Sequence, residues 1–176
     1  MNIKKMGLGC VVVLFVLVIL GALAGGPKPE KAPKEYRFPD KPDKQETDVE
    51  LVVGEFAELE GLKVGITEAQ RTTAFSEFEK ADSGKEFVII TASFENASDK
   101  TQPYNPLNLR IQTAEGQVLD YYWFNPRDDD LASGDLVTGG RISGSVVFEV
   151  PKEEGHQYIL YKPNAWKPDR LVIQIQ

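Results

Sequence analysis

Cysteine is almost absent from this chain: among its 176 residues only Cys10 is a cysteine, and it lies within the apolar N-terminal run. The remainder of the chain therefore has no thiol that could form a disulfide or a thiolate metal site. Histidine is equally scarce, since His156 is the only one. A zinc or copper site needs several such ligands, so we expect no metal site and no cofactor.

The scarcity of histidine also argues against nucleophilic catalysis. His156 lies in a turn between two predicted strands, and a Ser-His-Asp arrangement would have to use it. Gly140, Ser143 and Gly144 do not have the G-x-S-x-G spacing that places a serine on a sharp strand-to-helix turn. The sequence therefore predicts no catalytic residues and a protein that is not an enzyme.

Basic charge is in deficit, because the chain has 20 Lys and Arg against 27 Asp and Glu, a formal net charge of −7. Proteins that bind nucleic acid neutralise phosphates with a basic face. An acidic chain without such a face is not expected to bind nucleic acid.

The N-terminal residues 1–26 are predicted to be a membrane anchor or signal segment. Residues 6–24 contain no charged side chain, and as a helix they would extend about 28 Å, close to the hydrocarbon thickness of about 30 Å. This length favours a retained anchor. The alternatives are a signal peptide removed near Ala24, at the A-x-A pattern that begins at Ala22, and a lipoprotein. The lipoprotein fits least well, because Cys10 precedes most of the apolar run instead of following it.

Two features of the sequence predict opposite orientations of the anchor in the membrane. More basic residues follow the apolar run, from Lys28 to Arg37, than the two lysines, Lys4 and Lys5, that precede it, and the positive-inside rule would therefore keep the domain in the cytoplasm. A short basic tail followed at once by a long apolar run instead has the form of an export signal. We favour an extracytoplasmic domain, tethered by residues 6–24 through a Pro- and Lys-rich linker at residues 27–46 that is too polar to fold.

The region 47–176 is predicted to be one all-β domain, an antiparallel β-sandwich of immunoglobulin-like type. Its central strand lies within residues 84–100, where Val88, Ile90, Ala92 and Phe94 share one face. The first half of that strand, residues 87–90, is apolar on both faces, which is typical of a strand covered on both sides. A sandwich is favoured over a barrel.

Further strands are predicted on both sides of this one. Residues 50–53 and 56–59 flank Gly54 and indicate a short hairpin or edge segment, and residues 68–83 indicate a long loop or a helical turn. The remaining predictions are strands at 62–67, 141–150, 157–161 and 170–175, a hairpin of 107–112 with 117–123, and a long loop at 125–140. The predicted core comprises Val64, Phe94, Leu109, Ile111, Ile142, Val146, Phe148 and Ile173.

Three blocks of sequence resemble a known family. They are GKEFVIITASFENASDK at 84–100, LRIQTAEGQVL at 109–119 and GGRISGSVVFEVP at 139–151, and VGEFAELEGLKV at 53–64 also fits. The family is a bacterial domain of unknown function, with immunoglobulin-like "immunoprotective" extracellular domains on lipoproteins or behind an N-terminal membrane segment. The resemblance implies an immunoglobulin-like sandwich outside the cytoplasm, and it supplies no catalytic residues and no assigned molecular function.

An aromatic run and an acidic run that follow one another are the candidate ligand-contact patch. In a strand, Tyr121 and Trp123 share one face and Tyr122 and Phe124 the other, so one pair is expected in the core and the other at the surface, where aromatic residues are enriched in interfaces. The alternative is that these rings only pack. The predicted patch comprises Tyr121, Tyr122, Trp123, Asp128, Asp129, Asp130 and Trp166.

Two other motifs have structural interpretations that we favour. Asp128, Asp129 and Asp130 lack the alternating D-x-D-x-D-G spacing of a calcium loop, so a solvated acidic loop is the preferred interpretation. Asn96 and Ser98 fit a glycosylation sequon, but their side chains are suited to closing a turn.

The sequence thus predicts a membrane-tethered, extracytoplasmic binding module whose ligand is a protein or another envelope component. The alternative is a structural or accessory envelope domain without its own ligand. The longer loops and the aromatic run favour the binding module, because rigid β folds place recognition on such segments.

We predict that the full chain sediments with membranes and that protease added to whole cells cleaves it in the linker at 27–46, because residues 6–24 are long enough to span a bilayer. Cell fractionation and N-terminal sequencing check this. A mature chain beginning at Gly25 and free in the medium would show that the signal-peptide alternative is correct. Protection from protease until lysis would show a cytoplasmic domain.

Overall fold

A computed structural model of the chain describes residues 48–152 and 155–176. The predicted anchor at 1–26 and the predicted linker at 27–46 lie outside the described residues. No helix in the part that is described has the length and apolar character needed to cross a membrane. The strands are β1 (Asp48–Val52), β2 (Phe56–Leu59), β3 (Leu62–Thr72), β4 (Lys85–Asn96), β5 (Gln102–Tyr104), β6 (Leu109–Gln112), β7 (Val118–Leu119), β8 (Gly134–Leu136), β9 (Arg141–Pro151), β10 (Tyr158–Tyr161) and β11 (Arg170–Gln174).

The strands form two main sheets that pack face to face. The five-stranded sheet has the order β1-β11-β10-β6-β7, the four-stranded sheet has the order β2-β3-β4-β9, and β5 and β8 form a separate pair. Neighbouring strands are antiparallel, except that β1 runs parallel to β11. The predicted all-β sandwich is confirmed.

The predicted central strand is β4, which pairs with β3 on one side and with β9 on the other. Its residues Val88, Ile90, Ala92 and Phe94 lie in the core between the sheets. On the opposite face, Phe87 and Ile89 form a second buried cluster with Val147 of β9. The expectation that the first half of this strand is covered on both faces is therefore confirmed.

The core between the sheets contains seven of the eight predicted residues: Val64, Phe94, Leu109, Ile111, Val146, Phe148 and Ile173. Ile142 is the exception, with 36% of its surface exposed. It pairs with Phe94 near the start of β9, which is the outer strand of its sheet. Period-two spacing placed Ile142 on the inward face but could not show that the sandwich is open at this corner.

The first two strands do not form the hairpin that their spacing suggested. β1 pairs with β11 in one sheet, whereas β2 pairs with β3 in the other, so each is an edge segment. The chain changes sheets at Gly54, where φ is +93° and the amide donates to the Ile66 carbonyl at 2.8 Å. Glycine adopts this left-handed backbone conformation without a steric cost.

Residues 68–83 begin as strand, which corrects the prediction of a loop or helical turn. After a bulge between Ile66 and Glu68, β3 continues to Thr72 beside the first half of β4. The remaining residues fold back on themselves, with hydrogen bonds from Phe75 N to Glu79 O at 2.9 Å and from Ala81 N to Thr73 O at 3.0 Å. A bulge shifts the side-chain alternation by one residue, so a strict period-two pattern misses the continuation.

Two further predictions were correct only in part. The predicted hairpin between β6 and β7 is present, but its return strand is only Val118–Leu119. The predicted loop at 125–140 contains the short strand β8, which pairs with β5. The second difference arises because β8 pairs with β5, a partner distant in sequence.

Asn96 closes the turn after β4, as predicted. Its side-chain amide donates to the Lys100 and Leu136 carbonyl oxygens, both at 2.7 Å, and its Oδ1 accepts from Ser98 N at 2.9 Å. Asn96 is almost fully buried, and its side-chain amide is engaged in these structural hydrogen bonds.

Buried polar groups close one end of the core. Arg71 of β3 donates to Glu86 of β4 and to Gln157 Oε1 at 2.8 Å, and Glu86 and Gln157 are both buried. Polar side chains are tolerated there because each has a hydrogen-bond partner. Tyr161 differs, since its buried hydroxyl has no hydrogen-bond partner among the described residues. Burial, and secondarily the charge of Glu60, raise the pKa of Tyr161 above its ordinary value.

We predict that Tyr161→Phe leaves the free energy of unfolding unchanged or raises it by about 1 kcal/mol, because it removes a buried hydroxyl that makes no hydrogen bond. The ring contact with Phe94, with centroids 5.5 Å apart, is retained. Urea unfolding of the full chain measures the effect.

Phe148→Ala is the matched control, since Phe148 is fully buried in the same core and its truncation should cost about 3–5 kcal/mol. A loss above about 1 kcal/mol for Tyr161→Phe would show that the hydroxyl is hydrogen-bonded in the folded protein.

Candidate ligand-contact site

The aromatic run at 121–124 lies beside the outer edge of β9 and is held there by Tyr122. The Tyr122 amide donates to the Val147 carbonyl oxygen at 2.6 Å, and its ring lies 5.0 Å from that of Phe87. Its hydroxyl donates to Glu79 Oε1 at 2.9 Å. That hydrogen bond, with a smaller contribution from burial, raises the pKa of Tyr122. Tyr122 therefore packs as part of the fold.

The residues on either side of Tyr122 point to solvent. Tyr121 is 41% exposed and Trp123 is 78% exposed, so the run alternates between packed and exposed side chains. The Trp123 ring is flanked by Tyr122 at 6.0 Å and by Phe124 at 5.6 Å between centroids. The chain thus presents a large aromatic side chain from a backbone that is fixed to the sheet.

A cleft of about 280 Å³ lies beside this run. On β9, Val147 O accepts from Tyr122 N and Ser145 O accepts from Leu131 N at 3.0 Å, so two segments of the chain cap the outer edge of the strand. The cleft opens between them. Its lining residues are Asn105, Pro106, Leu107, Tyr121, Tyr122, Trp123, Asn125, Asp130, Leu131, Ala132, Ser133, Val146 and Val147.

Polar groups enter this cleft from three segments. Asn125 donates to Asp130 Oδ1 at 2.9 Å and to Ser145 Oγ at 2.9 Å, which fixes the Asp130 carboxylate at the rim. Asn105 and Ser133 also line the cleft. Because N–H and C=O of one residue in an antiparallel ladder point to the same side, the Val147 N–H also points away from β4. Aromatic faces and hydrogen-bonding groups therefore converge on one space.

The three consecutive aspartates at 128–130 differ in their hydrogen-bond partners and in the surface depressions that they border. Asp129 accepts from Arg127 Nε at 2.8 Å and from Ser145 Oγ at 2.8 Å, and the Arg127 hydrogen bond is the main reason that the pKa of Asp129 is lowered. Asp128 and Asp129 border a separate shallow depression with Pro126 and Arg127. Across the residues that the structure describes, no three His, Cys, Asp or Glu side chains are grouped so as to hold a metal ion.

Trp166 is not part of this cluster. It lies in the loop between β10 and β11 with 96% of its surface exposed, and its neighbour Lys167 forms an ion pair with Glu60 at 2.5 Å, at the turn between β2 and β3. Of the predicted patch, the structure brings together Tyr121, Tyr122, Trp123 and Asp130 around one cleft.

The sequence did not indicate the contribution of the loop at 73–82. Phe75 stacks on Phe87 with centroids 4.7 Å apart, and Glu79 receives the Tyr122 hydroxyl. Phe78 of the same loop is 90% exposed and borders a second depression with Phe124. The only signal in the sequence was the unexplained pair Phe75 and Phe78 in an otherwise polar segment.

His156 has partners near the end of the chain. Its Nδ1 lies 2.8 Å from the Gln176 carbonyl oxygen and 3.1 Å from Gln174 Nε2. It is exposed and does not line the cleft described above.

Solved structures with a similar fold come from several bacteria. The yjhA protein from Bacillus subtilis is 16% identical, with a TM-score of 0.58 over 72% of this chain and 99% of that chain. A B. subtilis protein described as a candidate lipoprotein, ycdA, is 13% identical, with a TM-score of 0.56 over 69% of this chain and 38% of that chain. The secreted protein MPT63 from Mycobacterium tuberculosis is 13% identical, with a TM-score of 0.54 over 75% and 99%. At these identities the similarity establishes the fold.

No curated protein matches this chain in sequence. Residues 51–170 match the family described as a domain of unknown function, DUF4352. The match agrees with the predicted domain-of-unknown-function family and carries no immunoprotective designation. Because it spans most of the chain, including β3, β4 and β9, this protein belongs to the DUF4352 family.

Proposed function

We propose that this protein is an extracytoplasmic binding module, tethered to the membrane by residues 6–24, that contacts its ligand at the cleft beside Trp123. The uncharged N-terminal run supports the tether. The fold is shared with a secreted protein and with a protein described as a candidate lipoprotein, which supports a location outside the cytoplasm.

The observation that carries the binding proposal is the contrast between adjacent aromatic residues. Tyr122 is bonded through its backbone and its hydroxyl, whereas Trp123 next to it is 78% exposed. A large aromatic side chain held at the surface by a rigid support gives up little conformational entropy on binding, and tryptophan is enriched among residues that dominate binding energy.

We also propose that the sandwich is of immunoglobulin-like type. In that fold, strands C, F and G form one sheet, and strands B and E are neighbours in the other. Here β6, β10 and β11 are neighbours in one sheet, and β4 pairs with β9 in the other. With β4 and β9 in the positions of B and E, β3 takes the position of strand A beside B. This order supports an immunoglobulin-like sandwich with β2 added at one edge.

The proposed activity is binding without catalysis and without nucleic acid. Around the cleft, the charged group is Asp130, which is hydrogen-bonded to Asn125. The net charge of −7 disfavours a polyanion.

Photo-crosslinking tests the proposal in cells that produce the full chain. Replacing Trp123 with a photo-reactive phenylalanine analogue should give covalent adducts on illumination, because position 123 faces the ligand. The same replacement of Trp166, which is also exposed but lies outside the cleft, is the matched control and should give few or none.

Adducts from both positions alike would indicate random collision and would contradict a site at the cleft. If neither position gives adducts while the protein is correctly localised, the accessory role without a ligand is the correct function. Melting temperatures of both variants should remain within a few degrees of the parent, since neither tryptophan is buried.

A further inference from the structure

We propose that the cleft beside Trp123 binds a neutral saccharide, with one sugar ring stacked on the indole of Trp123. This inference rests on the proposed binding function and names the class of ligand. It follows from the aromatic platform, the hydrogen-bonding groups, the charge and the size of the cleft.

The platform is the indole of Trp123, a residue that is 78% exposed. Tyr122 and Phe124 lie 6.0 and 5.6 Å from Trp123 between centroids, each tilted by 44°. The face of an aromatic ring carries negative charge density. The C–H groups on one face of a pyranose ring are apolar and slightly positive, so they complement that face.

The hydrogen-bonding groups match hydroxyls. The Asp130 carboxylate accepts from Asn125 through Oδ1, and an ionised carboxylate has further acceptor capacity on both oxygens. Ser133 and Asn105 line the same cleft, and each has both donor and acceptor capacity. A hydroxyl both donates and accepts, so adjacent sugar hydroxyls suit this mixture better than an apolar peptide side chain would.

The charge around the cleft favours a neutral ligand. Asp129 is paired with Arg127 at 2.8 Å, and Asp120 is paired with Arg110 at 2.9 Å, so the acidic residues near the aromatic run are in part neutralised within the chain. Asp130 repels phosphates and carboxylates. A strongly basic partner would meet fewer available carboxylates than the sequence of the acidic run suggests.

The size of the cleft suits the end of a saccharide chain. At about 280 Å³ it lies just below the usual range for small-molecule sites, about 300–1,000 Å³. This volume accommodates a terminal sugar ring, and Tyr121 and Leu107, which also line the cleft, are exposed and available to a second ring.

Tryptophan fluorescence tests the inference directly, because the chain contains two tryptophans. In the full-length chain, Trp166→Phe leaves Trp123 as the only tryptophan, whose emission is read by excitation beyond the absorption of tyrosine. Titration with tri-N-acetylchitotriose or cellotriose, both neutral, should then give a saturable change in emission. The matched variant Trp123→Phe, which reports on Trp166 alone, should show none. In calorimetry, Trp123→Ala should weaken binding at least about tenfold, and Ser133→Ala should weaken it about threefold.

Several outcomes overturn the inference. It fails if neither oligosaccharide gives a saturable change in the single-tryptophan chain, or if Trp123→Phe responds equally. It also fails if decaproline or trilysine produces the Trp123-dependent change and the sugars do not, although the proposed binding function then survives. Loss of the crosslinks at position 123 as well would remove the binding function itself.

Discussion

Burial of both faces of β4 is the constraint on which the rest of this structure depends. Val88 and Ile90 face the core between the sheets, while Phe87 and Ile89 face outward. A sandwich covers only one face of each sheet, so the outward residues require a second cover. The loop at 73–82 and the aromatic run provide it, and the position of the candidate site follows from that packing.

The same cover determines which aromatic residue is available to a ligand. Phe75 and Tyr122 pack against Phe87 on the outer face of the sheet. The Tyr122 amide also donates a hydrogen bond to the outer edge of β9. With Tyr122 packed inward, Tyr121 and Trp123 on either side of it are exposed. The arrangement of the candidate site is therefore a consequence of local packing, and the edge of β9 is protected from pairing with another chain.

The acidic run contributes less negative charge to the cleft than its three consecutive aspartates suggest. Asp128, Asp129 and Asp130 are consecutive, but their surroundings differ: Asp129 is bonded to Arg127 and Ser145, and Asp130 is bonded to Asn125 at the cleft. Only Asp130 belongs to the space that Trp123 borders. A search for basic partners based on the whole run would therefore overestimate the attraction.

The sequence by itself determined the β architecture, the central strand, seven of the eight proposed core residues and the alternation of the aromatic run, because side-chain period and turn chemistry are local properties. Tertiary structure alone decided that β1 and β2 lie in different sheets, that β3 continues past its bulge, that Ile142 is exposed and that Trp166 stands apart from Trp123. These features depend on which strands pair and which loops cover them, and such pairings join residues far apart in the chain, where no local pattern specifies the partner.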